Sequence, residues 1–149
     1  MDEKFRALIQ QAINQEELSH EFYGRLAKIA AHGDTRETLE YLAKEEMEHK
    51  HFLEKCLTQE GCPLAGEAHD VGLAQILETP AITAEMTPQE ALAIAAKREE
   101  GSYHFYKNLA GLQPPGEIKD FLAYMSKVEL GHKEKVEYLY DNAAFPEVW

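Results

Sequence analysis

The sequence repeats itself at an offset of 83 positions. The segment Glu46-Met47-Glu48-His49 returns as Glu129-Leu130-Gly131-His132, and segment 16–23 (EELSHEFY) returns as segment 99–106 (EEGSYHFY). A repeat of this kind indicates one supersecondary unit that occurs twice. The chain should therefore fold into two similar halves, each with one glutamate on its first element and a Glu-x-x-His pattern on its second.

Apolar residues recur at steps of three and four over four segments, which is typical of amphipathic helices. The predicted helices cover about 2–31, 35–59, 88–111 and 117–142. Gly33 is expected to end the first helix, and Asp34-Thr35-Arg36-Glu37 has the spacing of a capping box for the second. Thr87 followed by Pro88 predicts the start of the third helix. The short connection within each pair of helices predicts antiparallel packing.

These segments predict an all-α fold, a four-helix bundle of two repeated helical hairpins joined by a long crossover. We expect residues 1–149 to form a single domain with hairpin 2–60, crossover 61–87, hairpin 88–142 and C-terminal tail 143–149. The crossover has room for one short helix, from about Val71 to Glu78. In the tail, Phe145 and Trp149 are available to dock on the bundle or on a second subunit.

The overall charge limits the partners of the chain. It has 27 acidic and 15 basic residues and a formal net charge of -12, which argues against nucleic acid and anionic membranes as partners. No apolar run approaches the roughly 20 residues of a membrane span, and the N-terminus does not resemble a secretory signal. Two cysteines do not form a disulfide framework, so we interpret Cys56 and Cys62 as incidental thiols and expect a cytoplasmic location.

Six ionisable residues occupy positions where the helical period calls for apolar side chains: Glu16, Glu46, His49, Glu99, Glu129 and His132. In the first hairpin, Glu16 and Glu46 lie equally far along the chain from the turn near Ala31. In the second hairpin, Glu99 and Glu129 lie equally far from Pro114. All six side chains are therefore predicted to meet at one height in the bundle core.

Four carboxylates cannot be buried together without compensation, because each unpaired buried charge costs several kcal/mol or becomes neutral. Two divalent metal ions supply four positive charges, and neutral imidazoles add nitrogen ligands. Glutamates from two helices plus Glu-x-x-His from the other two form the di-iron or di-manganese arrangement of ferritin-like bundles. This oxygen-rich ligand set suits iron or manganese better than a structural zinc ion. We predict two iron ions, with manganese or a mixed pair as the alternative.

The segments EELSHEFY and Glu46-x-x-His49, together with their second copies, resemble the ferritin-like domain of the rubrerythrin family over nearly the whole chain. The resemblance implies that the six residues are metal ligands and that Glu46 and Glu129 bridge the two metals. It also implies that the four glutamates carry the reaction, that the protein is a homodimer, and that a diferrous centre reacts with hydrogen peroxide or oxygen.

Two differences from that family are visible. Full-length rubrerythrins carry a cysteine-rich, rubredoxin-like iron domain, whereas this chain lacks the four cysteines for one, so we expect an external electron donor such as a rubredoxin. Peroxidase-type members have a further glutamate one turn beyond the helix-three ligand, where this chain has Ser102. The alternative functions are therefore a ferroxidase-type or non-catalytic iron-buffering protein, and a structural bundle whose buried acids pair with lysines such as Lys44 and Lys127.

Residues near the six are expected to have supporting roles. Tyr23 and Tyr106 share the inward stripe and are predicted to pack in the core with their hydroxyls hydrogen-bonded. Tyr41 and Tyr124 are predicted to brace a helix interface, and His20 is a candidate for the outer shell of the metal site. The remaining polar neighbours are expected at the surface: Glu17, Glu45, Glu48, Glu100, His32, His51, His69 and His104.

Overall fold

Four α-helices form the fold in the computed structural model, which describes residues 3–58, 63–67, 80–83 and 85–143. The helices are α1 (Glu3–Ile29), α2 (Gly33–Thr58), α3 (Pro88–Gly111) and α4 (Glu117–Asn142). Helix α1 packs along α2, α3 packs along α4, and α2 also contacts α4. The described residues contain no strand. The prediction of an all-α bundle built from two repeated hairpins is therefore confirmed.

The apolar core is divided into two clusters, and each helix contributes to both. One cluster includes Phe5, Leu53, Phe105 and Leu122, near one end of the bundle. The other includes Leu26, Leu39, Leu92 and Val136, near the opposite end. Between its two apolar segments every helix carries the glutamate, or the glutamate and histidine, singled out by the repeat. The polar residues are therefore enclosed by apolar packing on both sides along the bundle axis.

The helix boundaries agree with the sequence patterns at one hairpin better than at the other. Thr87 caps α3, since its hydroxyl accepts a hydrogen bond from the Glu90 N–H at 3.2 Å, and Pro88 is the first helical residue as predicted. The predicted ending of the first helix at Gly33 is wrong, because α2 begins there. His32 precedes it and accepts the Asp34 N–H at 3.3 Å on its Nδ1 atom. An imidazole therefore replaces the predicted capping box.

The turn between α3 and α4 is joined to the crossover by one side chain. Gln113 is buried, and its amide donates to the Ala65 carbonyl at 2.7 Å and accepts from the Ala65 N–H at 2.8 Å. The same amide donates to the Leu109 carbonyl at 2.9 Å. Gly116, with φ of 154°, then allows the chain to enter α4. The second hairpin and the crossover segment 63–67 are thus held together by paired hydrogen bonds.

Replacing Gln113 with Ala should lower the free energy of unfolding by about 1–3 kcal/mol, because three hydrogen bonds of its buried amide, to Ala65 and Leu109, are lost. Urea unfolding followed by circular dichroism measures the loss. Gln11 is exposed on α1, so Gln11→Ala is the matched control and should change stability by less than about 0.5 kcal/mol. Equal stability of the two variants would contradict a role for Gln113 in anchoring the crossover.

Some predictions fall wholly or partly outside the described residues. The short helix over 71–78 and the docking of Phe145 and Trp149 both lie there, as do Cys62 and His69. Cys56 is described, is fully buried and is disulfide-bonded. The interpretation of Cys56 as an incidental thiol is therefore wrong.

Candidate metal centre

The six residues predicted from the repeat lie together in the middle of the bundle. Glu16 comes from α1, Glu46 and His49 from α2, Glu99 from α3, and Glu129 and His132 from α4. None of them is more than 4% exposed. The antiparallel helices place them level because each stands midway between the two apolar clusters on its helix. The structure thus brings together every residue of the predicted ligand set.

The six side chains form two overlapping groups, each with its donor atoms within 4.8 Å of one another. The first group is Glu16, Glu46, His49 and Glu129, and the second is Glu46, Glu99, Glu129 and His132. Glu46 and Glu129 belong to both groups. Each group has three carboxylates and one imidazole, and each could hold one metal ion.

Both histidines turn the same ring atom towards the carboxylates. The Nδ1 atom of His49 lies 3.0 Å from Glu129 Oε1. The Nδ1 atom of His132 lies 2.7 Å from Glu46 Oε1 and 3.3 Å from Glu129 Oε1. The two rings are stacked, with centroids 6.0 Å apart. One nitrogen of each imidazole is therefore aimed at the space that the carboxylates share.

Two tyrosines form hydrogen bonds between the hairpins to Glu16 and Glu99, the glutamates that belong to one donor group each. The Tyr23 hydroxyl on α1 donates to Glu99 Oε1 on α3 at 2.7 Å. The Tyr106 hydroxyl on α3 donates to Glu16 Oε1 on α1 at 2.8 Å. The prediction of buried tyrosines with bonded hydroxyls is confirmed. Their partners were not predicted, because the inward stripe places both tyrosines in the core without specifying which glutamate each one meets.

Several buried atoms of the cluster have no hydrogen-bond partner: Glu16 Oε2, Glu99 Oε2, both carboxylate oxygens of Glu129, His49 Nδ1 and His132 Nε2. Buried polar atoms are normally satisfied, so such a concentration calls for a missing partner. Within the described part of the chain, the ion pairs made by lysine side chains are Lys50 with Glu17 and Lys133 with Glu137, away from the cluster. Lys44 and Lys127 are exposed, which disfavours the structural alternative. Divalent cations fit the donor set, because carboxylate oxygens and imidazole nitrogens are their usual ligands.

Comparison with known proteins identifies the relatives of this arrangement. A family model described as Rubrerythrin matches residues 7–140. The chain belongs to the rubrerythrin family. The fold of this rubrerythrin-family chain is similar to the crystal structure of a protein from Thermotoga maritima described as a candidate ferritin-like diiron-carboxylate protein. The TM-score is 0.68 at 21% identity, and the match covers 94% of this chain and 96% of the other.

The structural match confirms the ferritin-like fold class. The search of curated proteins found no match. None of the described helices has an apolar stretch long enough to cross a membrane.

Burial is the largest influence on the pKa values of the glutamates and histidines in the six-residue cluster. It raises the pKa of Glu16 to about 7, with Glu129 as the second cause, and raises the pKa of Glu46 well above its usual value. Burial also opposes ionisation of Glu129, but His49 and His132 outweigh it and hold that pKa low. Burial lowers the pKa of His49, yet Glu129 more than offsets this and raises it to about 9. Without metal, one carboxylate is therefore stabilised as an anion between two imidazolium groups.

The residues around this centre divide into those that contact it and those that do not. The Nδ1 atom of His20 lies 2.7 Å from the Ala43 carbonyl oxygen, and His20 belongs to neither donor group, so its outer-shell role stays a prediction. Glu48 and Glu100 are exposed and Glu45 is half-buried. Tyr41 is exposed, but its ring contacts His132 with centroids 6.2 Å apart. That contact was not predicted, because a surface position gives no periodic signal for it.

Removing the tyrosine hydroxyls should weaken the centre without dismantling it. Tyr23→Phe and Tyr106→Phe each leave one carboxylate oxygen unbonded, and loss of such an outer partner typically lowers metal affinity about 10- to 100-fold. Competition with a chelator for manganese(II) measures the affinity. Tyr138→Phe is the control, since Tyr138 is exposed at the surface. Unchanged affinity in both buried variants would show that the hydroxyls do not orient Glu99 and Glu16.

Proposed function

We propose that this rubrerythrin-family protein holds two iron ions in the six-residue cluster and acts as an oxidoreductase towards hydrogen peroxide or oxygen. The observation that carries the proposal is the pair of overlapping donor groups sharing Glu46 and Glu129. In this assignment Glu16 and His49 would complete the ligands of one ion, and Glu99 and His132 those of the other. Glu46 and Glu129, which belong to both groups, would serve both ions.

Charge balance supports two divalent ions in preference to one. Four ionised glutamates carry four negative charges, and two divalent cations neutralise them while the histidines remain neutral ligands. A single ion would occupy one donor group only. The glutamate that belongs only to the other group, Glu16 or Glu99, would then keep an unbonded, buried oxygen. The two-ion assignment also gives the unpartnered oxygens of Glu16, Glu99 and Glu129 a partner.

A bound iron pair supplies two redox-active ions that together accept or give two electrons, which matches the two-electron reduction of hydrogen peroxide. The protein residues supply the surroundings for that chemistry. Tyr23 and Tyr106 keep their protons, because burial raises the pKa of each phenol well above its usual value, and they fix one oxygen of Glu99 and Glu16. The two apolar clusters exclude bulk water from both sides of the centre.

One feature favours a second function, that of a ferroxidase-type or non-catalytic iron-handling protein. Ser102 stands where peroxidase-type members of the family have a further glutamate, and its side chain is half-buried on α3. A serine hydroxyl is a poor substitute for a carboxylate as a ligand to iron. The ferroxidase alternative therefore uses the same six residues with a different oxidant.

Rapid mixing of the loaded protein separates these functions. Metal-free protein is loaded anaerobically with two ferrous ions per chain and mixed with hydrogen peroxide or, separately, with dissolved oxygen, while diferric absorption is followed. Faster oxidation by peroxide than by oxygen, with turnover when an electron donor is added, supports the peroxidase function. Faster oxidation by oxygen indicates a ferroxidase. Tight binding of iron with no oxidation by either reagent would overturn the proposed oxidoreductase function and leave iron buffering.

A further inference from the structure

Tyr41 connects the protein surface to a histidine of the metal centre. Its side chain is 45% exposed, whereas His132 is 1% exposed. The two ring centroids lie 6.2 Å apart with the ring planes at 83°, which is the geometry of edge-to-face aromatic pairs. The Nδ1 atom of the same His132 ring meets Glu46 and Glu129. The Tyr41 ring is therefore a bridge between solvent and the candidate metal centre.

The other half of the repeat lacks this bridge. Tyr124 occupies the position equivalent to Tyr41 and is 60% exposed, but its ring partner is Phe121, with centroids 6.2 Å apart. The His49 ring contacts Tyr106 and His132 instead. Within the described residues, no ring contact joins Tyr124 to His49. The two histidines are therefore unequal in their access to the surface, although the ligand set itself is symmetric.

An exposed lysine, Lys135, lies beside the Tyr41 ring. The Nζ atom of Lys135 lies 5.0 Å from the centroid of the Tyr41 ring, within the range of cation–π contacts. The repeat places Phe52 at the position equivalent to Lys135, so this cation too is confined to one half. Two carboxylates, Glu45 and Glu48, also lie near Tyr41, so charged groups of both signs surround the exposed side of this ring.

We propose that Tyr41 is the residue through which an external one-electron donor protein reduces the metal centre, by way of His132. This inference rests on the proposed oxidoreductase function. In each transfer the donor loses one electron and one ferric ion gains it, so two transfers return the oxidised pair to the diferrous state. Tyr41 forms and breaks no covalent bond in this process. It is a positioning residue that shortens the distance between donor and ligand.

The test compares the rates at which diferric protein is reduced by reduced rubredoxin, used as a one-electron donor protein, under anaerobic stopped-flow conditions. Tyr41→Leu removes the ring, Tyr41→Phe keeps it, and Tyr124→Leu is the matched control on the equivalent position. We expect the Tyr41→Leu protein to lose most of its rate, whereas Tyr41→Phe and Tyr124→Leu retain the wild-type rate. Iron content and the midpoint potential of each variant are measured in parallel and should not change.

Equal rates in the Tyr41→Leu and Tyr124→Leu proteins would overturn this proposal while leaving the oxidoreductase function intact. A changed midpoint potential or iron content in Tyr41→Leu, with Tyr41→Phe equally slow, would also overturn it, because Tyr41 would then act on the centre itself. Wild-type protein that binds iron but accepts electrons from neither rubredoxin nor dithionite would overturn the proposed function together with this inference.

Discussion

Replacing Glu46 or Glu129 with Ala should abolish binding of the metal pair. Each of these glutamates belongs to both donor groups, so each substitution removes one carboxylate from both sites at once. The remaining donors are two carboxylates and one imidazole in each group, with one carboxylate fewer to balance the ions' charge. Metal analysis after anaerobic loading and desalting should therefore fall from two ions per chain in wild type to fewer than about one in either variant.

Glu48 provides the matched control for this experiment. It lies on α2 two residues from Glu46 but is exposed, so Glu48→Ala should bind two ions as wild type does. Far-ultraviolet circular dichroism checks that the variants remain helical. Two ions per chain in the Glu46→Ala or Glu129→Ala protein would refute the assignment of these residues as bridging ligands.

Metal loading should stabilise the protein strongly, and more so at pH 8 than at pH 6. A ligand present at a thousandfold its dissociation constant adds about 4 kcal/mol for each site. For a chain of this length that corresponds to a rise in Tm of about 10 °C or more for two ions. Thermal denaturation with and without manganese(II), which resists oxidation by air better than ferrous ion, measures the gain.

The sign of the pH effect follows from the pKa values of the metal-free cluster. The pKa of Glu16 is raised to about 7 and that of His49 to about 9, both above the values in an unfolded chain. Their contribution to stability is therefore complete below about pH 4.5 for Glu16 and 6.5 for His49, and it is lost as pH rises through 7 and 9. Ligation needs both groups deprotonated, so metal affinity increases over the same range.

The Glu46→Ala protein serves as the control for the thermal experiment and should show little gain at either pH. A gain in wild type that is the same at pH 6 and pH 8 would contradict the protonation states assigned to Glu16 and His49. No gain at all would contradict metal binding by the cluster.

The sequence predicts which six residues meet in the bundle core, because these residues recur at the helical period and at the repeat offset. Glu46 and His49 stand on a stripe of leucines, and the offset of 83 positions repeats both residues on α4, so burial and proximity follow from helix geometry. Contacts between the two hairpins produce no periodic pattern in the sequence. The partners of the Tyr23 and Tyr106 hydroxyls depend on how the α1 and α3 axes cross, and a one-dimensional pattern does not specify that crossing.

Local chemistry explains the remaining differences between sequence and structure. At the α1–α2 turn, glycine is the usual signal for a helix end, but the ring nitrogen of His32 accepts the Asp34 N–H and lets α2 begin at Gly33. At Tyr41, the sequence predicted only a residue that braces a helix interface, whereas its ring also contacts that of the buried His132.

The exchange of tyrosine hydroxyls between the halves has a consequence for assembly. Glu99 of the second hairpin is held by a phenol from the first, and Glu16 of the first by a phenol from the second. Each donor group also combines residues of both hairpins. Neither hairpin supplies a complete donor group alone. Under the proposed function an ion would therefore find its full ligand set only when the two hairpins are docked in register, and metal binding would report on correct pairing of the duplicated halves.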